Sequence, residues 1–246
     1  MKAMVFAAGL GTRLRPITDT LPKALVPVCG EPLLAHVLRK LQRSGYTEAV
    51  VNVHHFPQLI KDYLARKDFG LKVSVSDESG QLLETGGGIL HAKALLQGGE
   101  PFLVHNVDIV SDVDLAWFRN QMRPGALATL LVSERKTSRY LLFDDDMRLV
   151  GWTNITTGEV KSPYRDLNPD KCRRYAFSGI HNISPIIFEA FDALAMPERF
   201  PILDFYINVC DRYPIYGAVA KDLHLVDVGK FETLPEAEEI CRDIFA

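Results

Sequence analysis

The chain has 246 residues, of which 47% are hydrophobic and 24% charged, with a formal net charge of -3 and a pI near 6.2. A chain of this size and composition can bury a full α/β core, and its slightly acidic balance excludes a sequence-wide positive field able to hold a nucleic-acid backbone. No stretch approaches the ~18 uninterrupted apolar residues of a membrane span, the N-terminus lacks the charged-then-apolar pattern of a secretion signal, and Cys29, Cys172, Cys210 and Cys241 show no paired spacing. The sequence therefore predicts a cytoplasmic protein with reduced thiols and without membrane or nucleic-acid partners.

In chain order, Ala3 to Ala7 is a short apolar run that empties into Gly9, the pattern of a buried strand followed by a loop. Leu33, Leu34, Val37, Leu38 and Leu41 recur at helical spacing and stop at Gly45, a natural helix terminator. There follow a strand over Ala49 to Val53, a helix around Leu59 to Leu64, a strand over Leu71 to Val75, a helix from about Gly88 to Leu96 and the apolar run Phe102 to Val104. Such alternation predicts a parallel sheet covered by helices on both faces, with ligands gathered at the carboxyl ends of the strands. Beyond Asp112 the spacing changes, with strands over Ala126 to Val132, Tyr140 to Phe143 and Leu149 to Thr153, and a solvated turn at Asp144 to Asp146. The polar segment Asn154 to Arg174, carrying Gly158, Pro163 and Pro169, reads as an excursion outside the core. Tyr175 to Ile183 and Leu223 to Val228 read as strands, and Ile186 to Leu194, Phe205 to Cys210 and Phe231 to Phe245 as helices. Without repeat or linker, one domain spans 1–246, with a nucleotide-binding half over 1–111 and a sugar-facing half over 112–246. The fold class is α/β: a mixed, mostly parallel, Rossmann-like sheet.

The strongest chemical signal is Ala7-Ala8-Gly9-Leu10-Gly11-Thr12-Arg13-Leu14-Arg15-Pro16, followed by Pro22-Lys23-Ala24-Leu25, directly after the first strand. Two glycines let the backbone turn tightly and aim N–H groups at phosphate oxygens, and Arg13 and Lys23 bring positive charge to the same loop. The loop is not a P-loop, because no Gly-Lys-Ser/Thr stands at the required offset, nor a dinucleotide fingerprint, whose third glycine is Leu14 here.

These residues resemble the signature of the nucleotide-diphospho-sugar pyrophosphorylases, the sugar-1-phosphate nucleotidyltransferases. The resemblance runs on through Leu83-Glu84-Thr85-Gly86-Gly87-Gly88, Asn106-Val107-Asp108, Phe177-Ser178-Gly179-Ile180 and Val226-Asp227-Val228-Gly229. It implies a glycosyltransferase-A-like nucleotidyltransferase fold in which Ala8, Gly9, Leu10, Gly11 and Thr12 wrap a nucleoside triphosphate. By the same resemblance Arg13 and Lys23 neutralise the triphosphate, Gly86 and Gly87 face the base, Asp108 and Asp227 hold Mg2+, and Gly179 faces the sugar 1-phosphate. It further implies uridylyl transfer to N-acetylmuramate 1-phosphate or a related hexose 1-phosphate, with guanylyl transfer to mannose 1-phosphate as the alternative and cytidylyl transfer third. A catalytically inactive nucleotide-sensing homologue is the non-enzyme alternative.

The chain departs from the family pattern in two places: Val107 stands where a glycine usually precedes the first aspartate, and no Glu-Lys-Pro motif is present for the sugar. Glu159, or another residue of the 154–174 segment, is the expected substitute. Trp152 fits either a sugar-stacking ring or a core side chain. His105 reads as a hydrogen-bonded support, Glu78 and Glu84 as solvated or capping carboxylates, and Asp112 and Asp114 as caps of the next helix. No HExxH-like spacing invites zinc. The oligomeric state is left open.

Overall fold

A computed structural model describes residues 1–245. The opening half runs β1 (Lys2–Phe6), the short ribbon β2 (Pro27–Val28) and β3 (Glu31–Pro32), α1 (Leu33–Arg43), β4 (Glu48–Val53), α2 (Pro57–Ala65) and β5 (Lys72–Asp77). It continues through α3 (Glu84–His91), α4 (Lys93–Leu96), β6 (Phe102–Asn106), β7 (Ile109–Ser111) and α5 (Leu115–Arg119). The second half holds β8 (Ala128–Ser133), β9 (Arg139–Phe143), β10 (Leu149–Asn154), β11 (Glu159–Lys161), β12 (Arg173–Ile183), α6 (Ile186–Ala193), α7 (Ile202–Val209), β13 (Ile215–Val219), β14 (Leu225–Asp227) and α8 (Leu234–Phe245).

Ten strands form one mixed sheet in the order β11-β10-β9-β12-β6-β1-β4-β5, with β8 on β12 and β13 on β8. β1 pairs in parallel with β4 and β6, and β4 with β5, whereas β12, β9, β10 and β11 run antiparallel to their neighbours. The switch from parallel to antiparallel pairing falls where the sequence pattern changes.

β1 lies at the centre and is buried on both faces, the reason it reads as an uninterrupted apolar run. Ala3 and Val5 point into one apolar cluster with Val51 and the α1 leucines; Met4, between them, points into the other with Val50, Phe102 and Val104. The period-2 alternation of a strand thus divides the core into two layers. α1 buries Leu33, Leu34, Val37, Leu38 and Leu41, and ends where Gly45 takes φ +83° and donates its N–H to the Gln42 carbonyl.

Several boundaries differ from those expected. The helix expected from Gly88 starts at Glu84 and breaks at Ala92 into α3 and α4, and the one expected from Phe205 starts at Ile202. The segment 154–174 is not wholly an excursion, because Glu159–Lys161 folds back as β11 on β10. β7 and β13 were not expected at all. β7 is three residues long, and the β13 sequence is interrupted by Gly217, where a Cβ would meet Phe143 and Met147 side chains at 2.8–2.9 Å. Among the described residues no helix is long and apolar enough to cross a membrane.

Candidate functional site

The glycine-rich turn leaves the carboxyl end of β1. Ala7 and Ala8 are buried, whereas Gly9, Leu10, Thr12 and Arg13 are exposed. Gly11 adopts φ +63°, a conformation costing an L-residue about 1–2 kcal/mol, and its carbonyl accepts the Thr18 hydroxyl at 2.8 Å. A Cβ there would also meet Thr18 Cγ2 at 2.9 Å and Lys23 Cβ at 3.1 Å, so glycine lets the turn lie directly on Lys23.

Lys23 is buried, and its ammonium carries the centre of the site. Nζ donates to Asp108 Oδ2 and lies 4.0 Å from Asp227 Oδ1. The two aspartates are 119 positions apart in the chain, and a two-stranded ribbon joins them: β14 runs antiparallel to β7 with Asp227 opposite Ile109, and Val228 N donates to the Asp108 carbonyl at 2.8 Å. Partial burial, followed by the Asp108 carboxylate, pushes the Asp227 carboxyl above its ordinary range; Lys23, Arg13 and Arg135 oppose that shift. Gly229 closes the cluster, since a Cβ on it would meet both Arg13 Nη2 and Asp227 Oδ1 at 2.9 Å. Arg13, Lys23, Asp108 and Asp227 therefore converge beside the glycine turn.

Two hard, anionic oxygen donors beside a phosphate-type cradle fit a magnesium ion, which binds through one or two carboxylates and completes its shell with water and phosphate oxygens. Among the described residues no group of three His, Cys, Asp or Glu side chains gathers in the way a fully protein-coordinated ion requires.

Gly179 has φ +73° at an irregularity in the β12–β8 pairing, where a Cβ would meet Asn106 Nδ2 at 2.9 Å and Ile109 Cγ1 at 3.0 Å. It thus sits against the strand end that carries Asp108. Glu159 does not reach the cluster: β11 is the sheet edge, three strands from β12, or about 14 Å at ~4.8 Å per strand. Its contacts stay local, with Oε1 3.9 Å from Lys161 Nζ and its carbonyl accepting from Thr153 Oγ1. Trp152, half-buried on β10, packs on the core with Lys161 Nζ 5.3 Å from its ring centroid, the core alternative of the two expected.

The glycine triplet is closely packed in this structure. The N–H groups of Gly86 and Gly87 both donate to the Phe200 carbonyl, at 2.8 and 3.2 Å, and are spent in this state. A Cβ on Gly86 would strike the Phe200 ring, and one on Gly87 the Glu198 carbonyl. A Cβ on Gly88 would meet Glu78 Oε1 at 2.9 Å.

Glu78, expected as a solvated or capping carboxylate, is instead buried, and burial pushes its carboxyl upward. Asn52 Nδ2 donates to Glu78 Oε1 at 2.7 Å while Asn52 Oδ1 accepts from Ala7 N at 2.7 Å, and Glu78 Oε2 accepts from Leu83 N at 3.4 Å, so one chain of bonds ties the head of α3 to the start of the glycine-rich turn. Sequence reasoning missed Asn52; its only signal was an amide inside an apolar strand. Glu84 pairs with Arg199 at 2.9 Å. Asp114 caps α5 through Ala116 N and Trp117 N, whereas Asp112 instead holds His224, accepting from its N–H and meeting Nδ1 at 2.8 Å. His105 is buried; its Nδ1 lies 2.7 Å from the Asn106 carbonyl, and burial pushes its pKa down to about 3, so it is neutral support.

The model of the nucleotidyl transferase family matches residues 2–140. The N-acetylmuramate alpha-1-phosphate uridylyltransferase of Caulobacter vibrioides is 52% identical over 111 residues, covering 44% of this chain and 46% of that protein. A mannose-1-phosphate guanylyltransferase catalytic subunit beta from Dictyostelium discoideum is 40% identical over 118 residues, covering 47% and 33%. The alignments thus span less than half the length of either relative. Among solved structures, HddC from Yersinia pseudotuberculosis superposes with a TM-score of 0.76 at 21% identity over 97% of this chain and 98% of that one, a likeness of fold. With more than half its length matched, the chain belongs to the nucleotidyl transferase family.

Proposed function

We propose that this chain is a cytoplasmic, magnesium-dependent sugar-1-phosphate nucleotidyltransferase that joins a nucleoside triphosphate to a sugar 1-phosphate and releases pyrophosphate. The favoured pair is UTP with N-acetylmuramate 1-phosphate or a related hexose 1-phosphate, in line with the uridylyltransferase relative. The observation that carries the reading is the convergence of Arg13, Lys23, Asp108 and Asp227 beside the exposed Gly9–Arg13 turn. Guanylyl transfer to mannose 1-phosphate is the second reading, supported by the 40% identity to the Dictyostelium discoideum relative. An inactive homologue is disfavoured because all four charged groups are present.

In this reading the sugar phosphate oxygen attacks the α-phosphorus in line, opposite the departing pyrophosphate. No general base is needed, because a phosphate monoester with a second pKa of about 6 is already largely dianionic at neutral pH. The barrier lies in anion repulsion and alignment. Arg13, Lys23 and the turn amides set positive charge around the triphosphate, and the Gly179 strand end offers the sugar a backbone approach. Asp108 and Asp227 would hold the magnesium ion, which supplies further positive charge to the phosphate oxygens.

Four triphosphates assayed against a panel of sugar 1-phosphates, with magnesium and pyrophosphate release as readout, test the proposal. Release with UTP and N-acetylmuramate 1-phosphate supports the first reading, and release confined to GTP and mannose 1-phosphate supports the second. Silence across the whole matrix overturns both.

A further inference from the structure

Cys29 and Cys241 stand 212 positions apart in the chain, and the fold brings them together. Cys29 is exposed at the tip of the β2–β3 ribbon, where Cys29 and Gly30 form a two-residue turn with φ +49° and +77°. Positive φ at both central positions favours Asn-Gly or Gly-Gly, so a cysteine at the first of them is held against its backbone preference. Its sulfur donates to the Glu238 carbonyl of α8 at 3.2 Å. A helical carbonyl points along the axis toward the residue four positions on, so that sulfur lies beside the turn of α8 that carries Cys241. Cys241 is 1% exposed, and its thiol is hydrogen-bonded to that of Cys29. The other two cysteines are engaged elsewhere: Cys210 is buried in the second apolar cluster and donates to the Ile207 carbonyl, and Cys172 donates to the Asn168 carbonyl.

The two thiols differ in the way an exchange pair requires. Cys29 meets reagents from solvent, beside a cavity of about 580 Å³ lined also by Arg39, Arg43 and Arg242. Among the described residues the one carboxylate on that wall is Glu31, already paired with Arg39 at 3.2 Å. Such a wall suits a reagent that carries carboxylates, as glutathione does. Burial holds the Cys241 thiol up at about 11, so it stays protonated and inert to reagents until the sulfur beside it is activated.

We propose that Cys29 and Cys241 are a redox-active pair that closes into a disulfide by exchange with a small disulfide such as oxidised glutathione. The Cys29 thiolate attacks one sulfur of the reagent, forming a mixed disulfide and releasing one thiol. Cys241 then attacks the Cys29 sulfur and passes its proton to the second departing thiolate. Two protein thiols are thereby oxidised, and one reagent disulfide is reduced to two thiols. The second step is intramolecular and needs no solvent access to Cys241. The bond bolts α8 to the β2–β3 ribbon, which begins two residues after the Lys23–Leu25 turn. α8 also packs on β7 and β14, the ribbon that joins Asp108 to Asp227. In a reducing cytosol the pair rests as two thiols, and an oxidising shift closes it. The inference is independent of the nucleotidyltransferase reading.

The test equilibrates the folded protein with reduced and oxidised glutathione at graded ratios, then quenches, alkylates and maps the peptides by mass spectrometry without reduction. Wild type is expected to lose two thiols together and to yield a peptide joining Cys29 to Cys241 within one chain. Its Tm should rise by about 5–15 °C over the reduced form, and dithiothreitol should reverse both changes. Cys241→Ala should stop after the first step and hold one glutathione on Cys29, Cys29→Ser should leave Cys241 unmodified, and Cys172→Ser should close the bond as wild type does. If Cys241→Ala does not fold, the wild-type map decides alone. A wild type that keeps both thiols at the most oxidising ratio, or joins Cys29 to Cys172 or to a second chain instead, overturns the proposal. A Cys29–Cys241 bond that leaves Tm unchanged overturns the bolting of α8.

Discussion

Replacing Lys23 with methionine removes the ammonium from between two carboxylates while keeping the length of its stem. At about 4 Å and an effective dielectric of ~20, a unit charge pair interacts by roughly 4 kcal/mol before desolvation is counted. The Asp227 side chain is 49% exposed, so screening reduces its share to about 1 kcal/mol or less. The side chains of Lys23 and Asp108 are 10% and 21% exposed, between a surface pair at about 0–1 kcal/mol and a buried pair at about 3–5. A net loss of about 2–3 kcal/mol at neutral pH follows, or roughly 4–12 °C in Tm for a chain of this size. The loss should shrink at acidic pH, where the bereaved carboxylates take up protons, and millimolar magnesium should recover part of it by restoring a cation between them. Turnover should fall by about 10²–10³, since a positive charge aimed at the phosphates is gone. Thermal melts with and without magnesium, beside pyrophosphate release, read all of these. A variant with wild-type Tm and wild-type turnover would refute the placement of Lys23.

Gly229→Ala should push Arg13 or Asp227 aside, with kcat reduced by up to about 10² and Tm changed little; the opposite division between kinetics and melting would tell against Gly229 as a site residue. Gly87→Ala should cost about 1–3 kcal/mol by driving a Cβ into the Glu198 carbonyl, while Gly80→Ala, with open space around its Cβ, serves as the near-neutral control in urea titrations. Burial holds both His105 and His181 down at about 3. Their unfolded counterparts take up protons near pH 6.5 and the folded ones do not, so stability is full above pH 6.5 and falls as the pH drops from there toward 3. Each contributes up to about 1.4 kcal/mol per pH unit. His105→Gln should remove about half of that slope in urea midpoints between pH 6.5 and 5, and an unchanged slope would mean the residue titrates normally.

Much of this architecture was legible in the residues, and the exceptions have physical causes. β1 and α1 were readable because their burial patterns are the two simplest ones, apolar on both faces and an apolar stripe. The glycine-rich turn was readable because its glycines and cations follow directly on that strand. The ribbon of β7 and β14 was not, since three residues carry no period, yet that ribbon is what unites Asp108 with Asp227. The glycine triplet was expected, by resemblance, to face a base, and glycine is a poor helix former. Tertiary packing overrides that preference: Phe200 and Glu198 approach so closely that only a bare Cα fits. Glu159 and Glu78 stand in contrasting surroundings. One lies in a polar segment that folds back on the sheet edge, and the other is a carboxylate whose buried partner, Asn52, comes from a different strand.

Asp108 and Asp227 are proposed to hold a cation against a triphosphate cradled by the Gly9–Arg13 turn. Asp108→Asn, which preserves shape and removes one anionic ligand, tests it most directly when magnesium-dependent pyrophosphate release is measured at saturating UTP and N-acetylmuramate 1-phosphate. The expected result is loss of at least about 10² in turnover with the circular dichroism spectrum retained. Wild-type turnover in that folded variant would rule out a cation held by Asp108.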